Sequence, residues 1–142
     1  MPENEKNFRS VATRLPAQDL SRARRWYAEK LGLEPIEERP GGLRYRIGEG
    51  EFSIFTSSGR SSGTFTQLAF TVDDIHATVA LLRRRGVEFL DYDSPPLVTV
   101  DGIARVEGNY PSKGTAELGC WFLDSEGNMI GWGSPCLRAD RV

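Results

Sequence analysis

One stretch of this chain occurs twice. Sliding the sequence by 55 places Leu15, Ala17, Asp19 and Leu20 on Phe70, Val72, Asp74 and Ile75, each time an alternating strand that runs into an acidic helix cap. The first helix is expected from Asp19 in the run DLSRARRWYAEKLGL, where Leu20, Ala23, Trp26, Tyr27, Lys30 and Leu31 fall near helical spacing and Gly32 ends it. The second, DDIHATVALLRRRGV, ends at Gly86, which lies 54 residues after Gly32. A strand and a helix that return with one residue of slack are a duplicated module. A solenoid is excluded, because two copies of this length use up the 142 residues.

Taken in order, the first module reads strand, helix, then three strands. Phe8 to Ala17 alternates, with Val11, Thr13 and Leu15 on one face and Ser10, Ala12 and Arg14 on the other. After the helix come strands at Pro35 to Glu38, Leu43 to Ile47 and Glu51 to Thr56, separated by the turns Pro40-Gly41-Gly42 and Gly48-Glu49-Gly50. The run SSGRSSG, Ser57 to Gly63, has the composition of a flexible linker. The second module repeats the pattern with a strand at Phe65 to Val72, a helix at Asp74 to Arg85 and a strand at Val87 to Leu90. It closes with a hairpin of Gly119 to Leu123 and Met129 to Gly133 around the turn Asp124 to Asn128. Residues 91–118 have no counterpart in the first copy. Tyr92, Pro95, Pro96, Val98, Val100, Ile103 and Tyr110 give this insertion apolar anchors, and Asp101-Gly102 is placed to turn a hairpin. It reads either as an ordered flap over a site or as a surface excursion. The expected architecture is a single α+β domain over residues 8–133, built from βαβββ modules at 8–56 and 65–133 joined by 57–63, with polar tails at 1–7 and 134–142.

Composition removes several function classes. A net charge of −2 and the absence of a basic face argue against nucleic acid as a partner. Arg22, Arg24 and Arg25, and Arg83, Arg84 and Arg85, read as solvated helix faces. No apolar run approaches the roughly 18 residues of a spanning helix, and Met1 to Asn7 lacks the apolar segment of a signal peptide, so a cytoplasmic location without membrane contact is expected. Cys120 and Cys136 show neither C-x-x-C spacing nor the density of a secreted disulfide scaffold and read as reduced thiols, and Cys120, within an apolar run, reads as a small buried hydrophobe. No phosphate-binding loop, nucleophile elbow or H-E-x-x-H helix is present. Asp91 and Asp93, which flank Tyr92, are the best carboxylate pair and read as turn chemistry ahead of Pro95.

Asp19-Leu20 leading to Trp26-Tyr27 and Leu31-Gly32-Leu33, Ala69-Phe70 before Val72-Asp73-Asp74-Ile75 and Gly86-Val87, and the closing Phe122-Leu123-Asp124 with Gly127-Asn128 resemble the vicinal oxygen chelate superfamily. That group includes glyoxalase I, extradiol dioxygenases, fosfomycin-resistance enzymes and bleomycin-resistance proteins. The resemblance implies two modules whose mixed sheets curl around a cavity, often in a homodimer. It also implies metal-ligand positions on the first and last strand of each module. Those positions fall on Ala12, on Gln67, on Gly131, and on Ser53, Ile54 or Phe55 according to register, with Glu51 the nearby carboxylate. The only histidine, His76, lies in the first turn of the second helix. A triad of two histidines and a carboxylate cannot be assembled from these residues, so no metal and no cofactor is expected.

What remains is a set of binding residues. If Ala12 and Gln67 face inward, alternation also turns in Ser10, Arg14, Phe65, Ala69 and Thr71. Arg14 reads either as a fork for a carboxylate or phosphate or as a salt bridge to a glutamate at the sheet edge, and Gln67 offers a donor and an acceptor. Tyr45, Phe55 and Trp121 either line the pocket or belong to the core. The leading expectation is a metal-free homodimer that sequesters or senses a small aromatic or anionic compound. The alternatives are a lyase, isomerase or dioxygenase of the superfamily with an atypical or absent metal site, acting through Arg14, Gln67 or Tyr92, and an accessory protein with a vestigial cavity.

Overall fold

A computed structural model of the protein describes residues 7–107 and 116–136. Tyr110, one of the apolar anchors expected in the insertion, lies outside them. The first module consists of β1 (Thr13–Ala17), α1 (Leu20–Trp26, continued by a π-helical turn Tyr27–Leu31), β2 (Glu37–Arg39), β3 (Gly42–Ile47) and β4 (Gly50–Thr56). The second consists of β5 (Thr66–Thr71), α2 (Ile75–Arg84), β8 (Ala104–Glu107), β9 (Ala116–Leu123) and β10 (Met129–Cys136), with a short ribbon of β6 (Asp93–Ser94) and β7 (Leu97–Val98) set between α2 and β8. The sheet orders are β1-β4-β3-β2 and β5-β10-β9-β8. In each the first strand runs parallel to the last and the other pairs are antiparallel. The architecture is thus the expected α+β duplication.

The duplication extends to local chemistry. Asp19 and Asp74, 55 apart, cap their helices with the same backbone conformation, φ −136° and −135° with ψ 100°. Each carboxylate accepts from an N–H three residues on, Arg22 at 2.9 Å and Ala77 at 3.1 Å, which satisfies one of the donors a helix start leaves open. Both helices stop at a glycine in the left-handed region, Gly32 at φ 69° and Gly86 at φ 88°. The helix ends also bind each other reciprocally: Lys30 Nζ donates to the carbonyl of Arg85 at 2.8 Å, and Arg85 Nη1 donates to the carbonyl of Lys30 at 3.2 Å. Two residues that are equivalent in the repeat therefore face each other across a local two-fold relation.

Each sheet has one face under a helix and one open face. On the first sheet Leu15, Ala17, Leu43, Tyr45, Phe52 and Ile54 turn to the helix side and are buried. Tyr45 stacks on Phe52 with ring centroids 4.8 Å apart, and Tyr27 of α1 packs on both. Leu68, Leu82, Phe122 and Ile130 of the second module join the same cluster, so one core spans both modules. Each fully buried ring or branched side chain stabilises by roughly 1.5–3 kcal/mol.

Three expectations need correction. The first strand was expected from Phe8, but pairing begins at Thr13, opposite Phe52. The residues before Gly50 turn back into β3, so among the described residues the chain before Val11 has no strand beside it. Val87 to Leu90 is not a paired strand; a single backbone bond, from Leu90 N to Trp121 O at 2.8 Å, holds it beside β9. The counterpart of β2 is instead β8, which lies inside the segment read as insertion. It is introduced by the turn expected at Asp101-Gly102, where φ values of 53° and 82° and the bridge between Val100 and Ile103 make a tight reversal. The run 57–63 makes contacts to both modules: Gln18 Nε2 donates to Gly59 O at 2.6 Å, and the Ser61 hydroxyl donates to Asn128 Oδ1.

Candidate functional site

The open faces of the two sheets carry different side chains at equivalent places. On the first, the pairing sets Arg14 opposite Ser53, Ser53 opposite Arg44 and Arg44 opposite Glu37, a row across all four strands. The next row holds Phe55 and Gly42. These residues line a concavity of about 430 Å³. Its charges are mostly paired. Arg44 forks onto Glu51 with Nε at 2.7 Å and Nη2 at 2.9 Å and reaches Glu37 at 3.4 Å, while Arg39 pairs with Glu37 at 2.5 Å. The guanidinium groups of Arg44 and Arg46 hold the Glu51 carboxyl down at about 2. Arg14 is placed differently, with its guanidinium carbon 4.9 Å from the centroid of the Phe55 ring.

On the second sheet the same pattern is apolar. Ala69 sits opposite Gly131 and Gly131 opposite Trp121, so Ala69, Gly131 and Trp121 repeat the places of Arg14, Ser53 and Arg44. Gly119 and Gly133, paired with each other, take the places of Gly42 and Phe55. The Trp121 indole lies across this glycine floor. A Cβ added at Gly131 would meet its Nε1 at 3.1 Å, and one at Gly119 would meet its Cη2 at 3.2 Å. A cleft of about 300 Å³ opens beside the indole, walled by Thr66, Ala69, Thr71 and Glu117. It shares Ala69, Phe70 and Thr71 with a neighbouring cleft of about 520 Å³ on the seam between the modules, where Thr13 and Glu51 form the other wall. Tyr92, from the segment between α2 and β6, packs edge-on to Trp121 with centroids 5.7 Å apart and directs its hydroxyl to Met129 Sδ at 3.9 Å. That segment therefore covers one end of the second open face.

Arg14 and Phe55 thus come together on one face and Trp121 and Tyr92 on the other. Gln67 and Tyr45 join neither pair. Gln67 stands at a bulge, where Thr66 pairs with Met129 and Leu68 with Ile130, and its amide is engaged. It donates to Ser61 Oγ at 2.9 Å and Asn128 Oδ1 at 3.3 Å and accepts from Met129 N at 3.4 Å. Tyr45 is 1% exposed beneath α1, because alternation that turns Arg44 and Arg46 outward turns Leu43 and Tyr45 to the helix. Burial pushes its phenol up to about 12.

The positions at which metal-dependent members of the family hold their ion do not fit one here. Ala12 precedes β1 and has no donor atom, Gln67 is engaged as described, and the register selects Ser53 as the counterpart of Gly131. His76 is exposed on α2, away from both open faces. Among the described residues no group of three or more His, Cys, Asp or Glu side chains could hold a metal ion.

Sequence reasoning missed one cluster, which ties the closing hairpin of the second module to the start of α1 in the first. The turn Asp124 to Asn128 reaches across to α1. Buried Glu126 accepts from the N–H groups of Gln18 and Asp19 at 2.9 and 3.1 Å, and from Arg22 Nε at 2.8 Å and Nη2 at 2.9 Å. Burial alone raises its carboxyl, but the Arg22, Asp19 and Ser125 hydrogen bonds outweigh that and bring it to about 2. Asp124 accepts from Tyr27 Oη at 2.6 Å and from Asn128 Nδ2 at 3.0 Å, and burial holds its pKa above the usual value in spite of those bonds. Asn128 Nδ2 also donates to Pro16 O at 3.0 Å. The available signal was a hairpin turn carrying two acids and an amide, more polar atoms than a turn alone needs.

Comparisons with known proteins agree with the fold. No curated protein sequence matches the chain. Among solved structures it is similar to a glyoxalase/bleomycin resistance protein/dioxygenase from Alicyclobacillus acidocaldarius, at 16% identity over 89% of this chain and 91% of that one, with a TM-score of 0.64. A virulence protein from Salmonella typhimurium is 17% identical over 91% and 98% of the two chains, with a TM-score of 0.65. TnmS3, an antibiotic binding protein from Streptomyces sp. CB03234, is 23% identical over 90% and 98%, with a TM-score of 0.59. At these identities the likeness is one of fold. The model of the glyoxalase/bleomycin resistance protein/dioxygenase superfamily matches residues 9–130, and the chain belongs to that superfamily.

Proposed function

We propose that this protein binds a small, flat organic molecule without a metal ion, and that it sequesters or senses such a compound. The observation that carries the reading is the Trp121 indole. It lies over Gly131, where metal-dependent members of the family place a glutamate, and it presents an aromatic surface to an open cleft in place of a ligating oxygen. A flat apolar wall with a few polar neighbours is what stacking recognition needs. The antibiotic binding protein among its structural relatives supports the same direction. The reading makes the protein a cytoplasmic homodimer. Two buried cysteines outside any C-x-x-C motif fit a reducing compartment, and Phe8, Val11 and Phe65, which are 69%, 96% and 61% exposed, offer apolar surface to a second copy.

The test has two arms. Purified protein is incubated with zinc, nickel, manganese and ferrous ions, freed of excess and subjected to elemental analysis; the expected result is no retention above background, and near-stoichiometric metal overturns the metal-free reading. Planar aromatic compounds are then screened for thermal stabilisation. A ligand at 100 times its Kd adds about 2.7 kcal/mol, a readily measured shift. The shift is expected to vanish in Trp121→Ala, and an undiminished shift in that variant removes the indole from the site.

A further inference from the structure

The open face of the first sheet carries a built asymmetry of charge. Three arginines, Arg14, Arg39 and Arg44, and one glutamate, Glu37, line its concavity. Arg39 and Arg44 are both ion-paired, the first with Glu37 and the second with Glu51 and Glu37. Arg46, at the edge of the same sheet, also shares Glu51. Among the described residues Arg14 is the one lining guanidinium with neither an ion pair nor a hydrogen bond; its contact is the Phe55 ring. Stacking on a ring uses the face of a guanidinium and leaves the N–H groups at its edge available, and those groups recognise a planar oxyanion by two parallel bonds. Ser53, directly opposite Arg14 on β4, adds a hydroxyl, and Gly42, opposite Phe55, leaves room above the ring.

The geometry points to an oxyanion subsite at Arg14 and Ser53, so that the ligand class is a flat apolar body that carries a carboxylate or phosphate group. The subsite rests on the reading that this chain binds a small aromatic molecule, and it adds which end is recognised and by which sheet. The repeat makes the contrast sharp. The second module has Ala69, Gly131 and Gly133 where the first has Arg14, Ser53 and Phe55, so among the described residues the matching places of the second open face offer no group for the charge. A neutral ligand would leave the Arg14 charge uncompensated, whereas an anion completes the pairing already made at Arg39 and Arg44.

The experiment measures calorimetric affinities for 1-naphthoate, 1-naphthyl phosphate and the neutral 1-naphthalenemethanol, with the intact chain and its Arg14→Gln, Arg14→Lys and Trp121→Ala variants. One or both anions are expected to bind at least tenfold more tightly than the alcohol, and the stronger of the two identifies the group. Arg14→Gln is expected to bring the anions to the level of the alcohol, with Arg14→Lys between. Arg14 is exposed, so thermal melts of its variants serve as the folding control. Equal affinity for alcohol and anions, or anion binding unchanged in Arg14→Gln, overturns the subsite. If Arg14→Gln has no effect while Trp121→Ala abolishes binding, the oxyanion subsite fails and the aromatic-binding function stands. If the anions depend on Arg14 but Trp121→Ala changes nothing, the subsite stands and the stacking role of Trp121 fails.

Discussion

Gly131 and Trp121 are coupled through the space that one leaves for the other. Installing a carboxylate at Gly131, the place to which the family resemblance assigns a metal ligand, sets a Cβ 3.1 Å from Trp121 Nε1 and 3.1 Å from Thr66 Cγ2. Gly131→Glu is therefore expected to lose about 1–3 kcal/mol, the usual cost of overpacking, and to retain no zinc, because the histidine partners are absent. Adding Trp121→Ala should recover part of that loss, and a denaturation cycle on the four proteins measures the coupling. Glu126 gives a second prediction, with a defined dependence on pH. Its carboxyl titrates near 2 in the folded chain against an ordinary 4.5, so it contributes stability above about pH 4.5 that is lost as the pH falls through 2. Because Arg22 is half-exposed at the mouth of this pair, about 2 kcal/mol is a fair magnitude. Glu126→Gln should lie below the parent by that amount at pH 7, and the two denaturation curves should converge towards pH 2. Asp124, raised by burial, contributes in the opposite sense, favouring the folded chain at low pH and losing that contribution as pH rises through its own pKa, so Asp124→Asn serves as the control. Neither role was legible in the sequence. A turn motif announces its backbone, but the partner that makes Glu126 structural lies 104 residues away on α1.

At the scale of single elements the repeat was readable because helix caps are local. Asp19 and Asp74 act within three residues of themselves, and Gly32 and Gly86 end their helices by a backbone conformation that other residues adopt at a cost. Asp74→Ala is expected to cost about 1 kcal/mol in chemical denaturation, with Asp74→Asn nearly neutral, since an amide oxygen also caps. Asp19→Ala should cost a similar amount, because the Glu126 bond is made by the Asp19 backbone and survives the change. Strand ends were less legible, since a strand is completed by a partner that sequence distance conceals. Phe8 to Ala12 alternates as a strand would, yet β4 begins at Gly50 and offers those residues little to pair with. Val87 to Leu90 has the β-branched and aromatic content of a strand, but the edge of β9 beside it is shared with β8, which pairs over residues 104–107. Tyr45 shows the matching limit for faces: alternation divides β3 into two sets without saying which set a helix will cover. The Arg44 and Arg46 charges were the clue to that choice.

At the scale of the whole molecule, the question is whether the two modules can exist apart, and the contacts between them answer it. Leu68, Leu82, Phe122 and Ile130 of the second module lie in the core of the first, Tyr27 donates to Asp124, Arg22 pairs with Glu126, and Lys30 and Arg85 exchange bonds at the helix ends. Separating the modules would expose Phe52 and Phe122, both 2% or less exposed, and would take from Glu126 its Arg22, Gln18 and Asp19 donors and from Asp124 the Tyr27 hydroxyl. Losing that apolar burial and those bonds together costs several kcal/mol, comparable to the stability of a whole domain of this size. The modules are therefore expected to unfold together. Trp26 reports on α1, and Trp121 and Trp132 on the second sheet, so two variants separate the signals: Trp121→Phe/Trp132→Phe keeps the first probe and Trp26→Phe the others. Their denaturation midpoints, each normalised to the far-ultraviolet circular dichroism of the same variant, should coincide with that backbone signal. A fluorescence transition that separates from the backbone signal in either variant would mean that the duplicated halves retain independent stability. The open faces would then move relative to each other, and Arg14 and Trp121 would no longer hold one fixed arrangement.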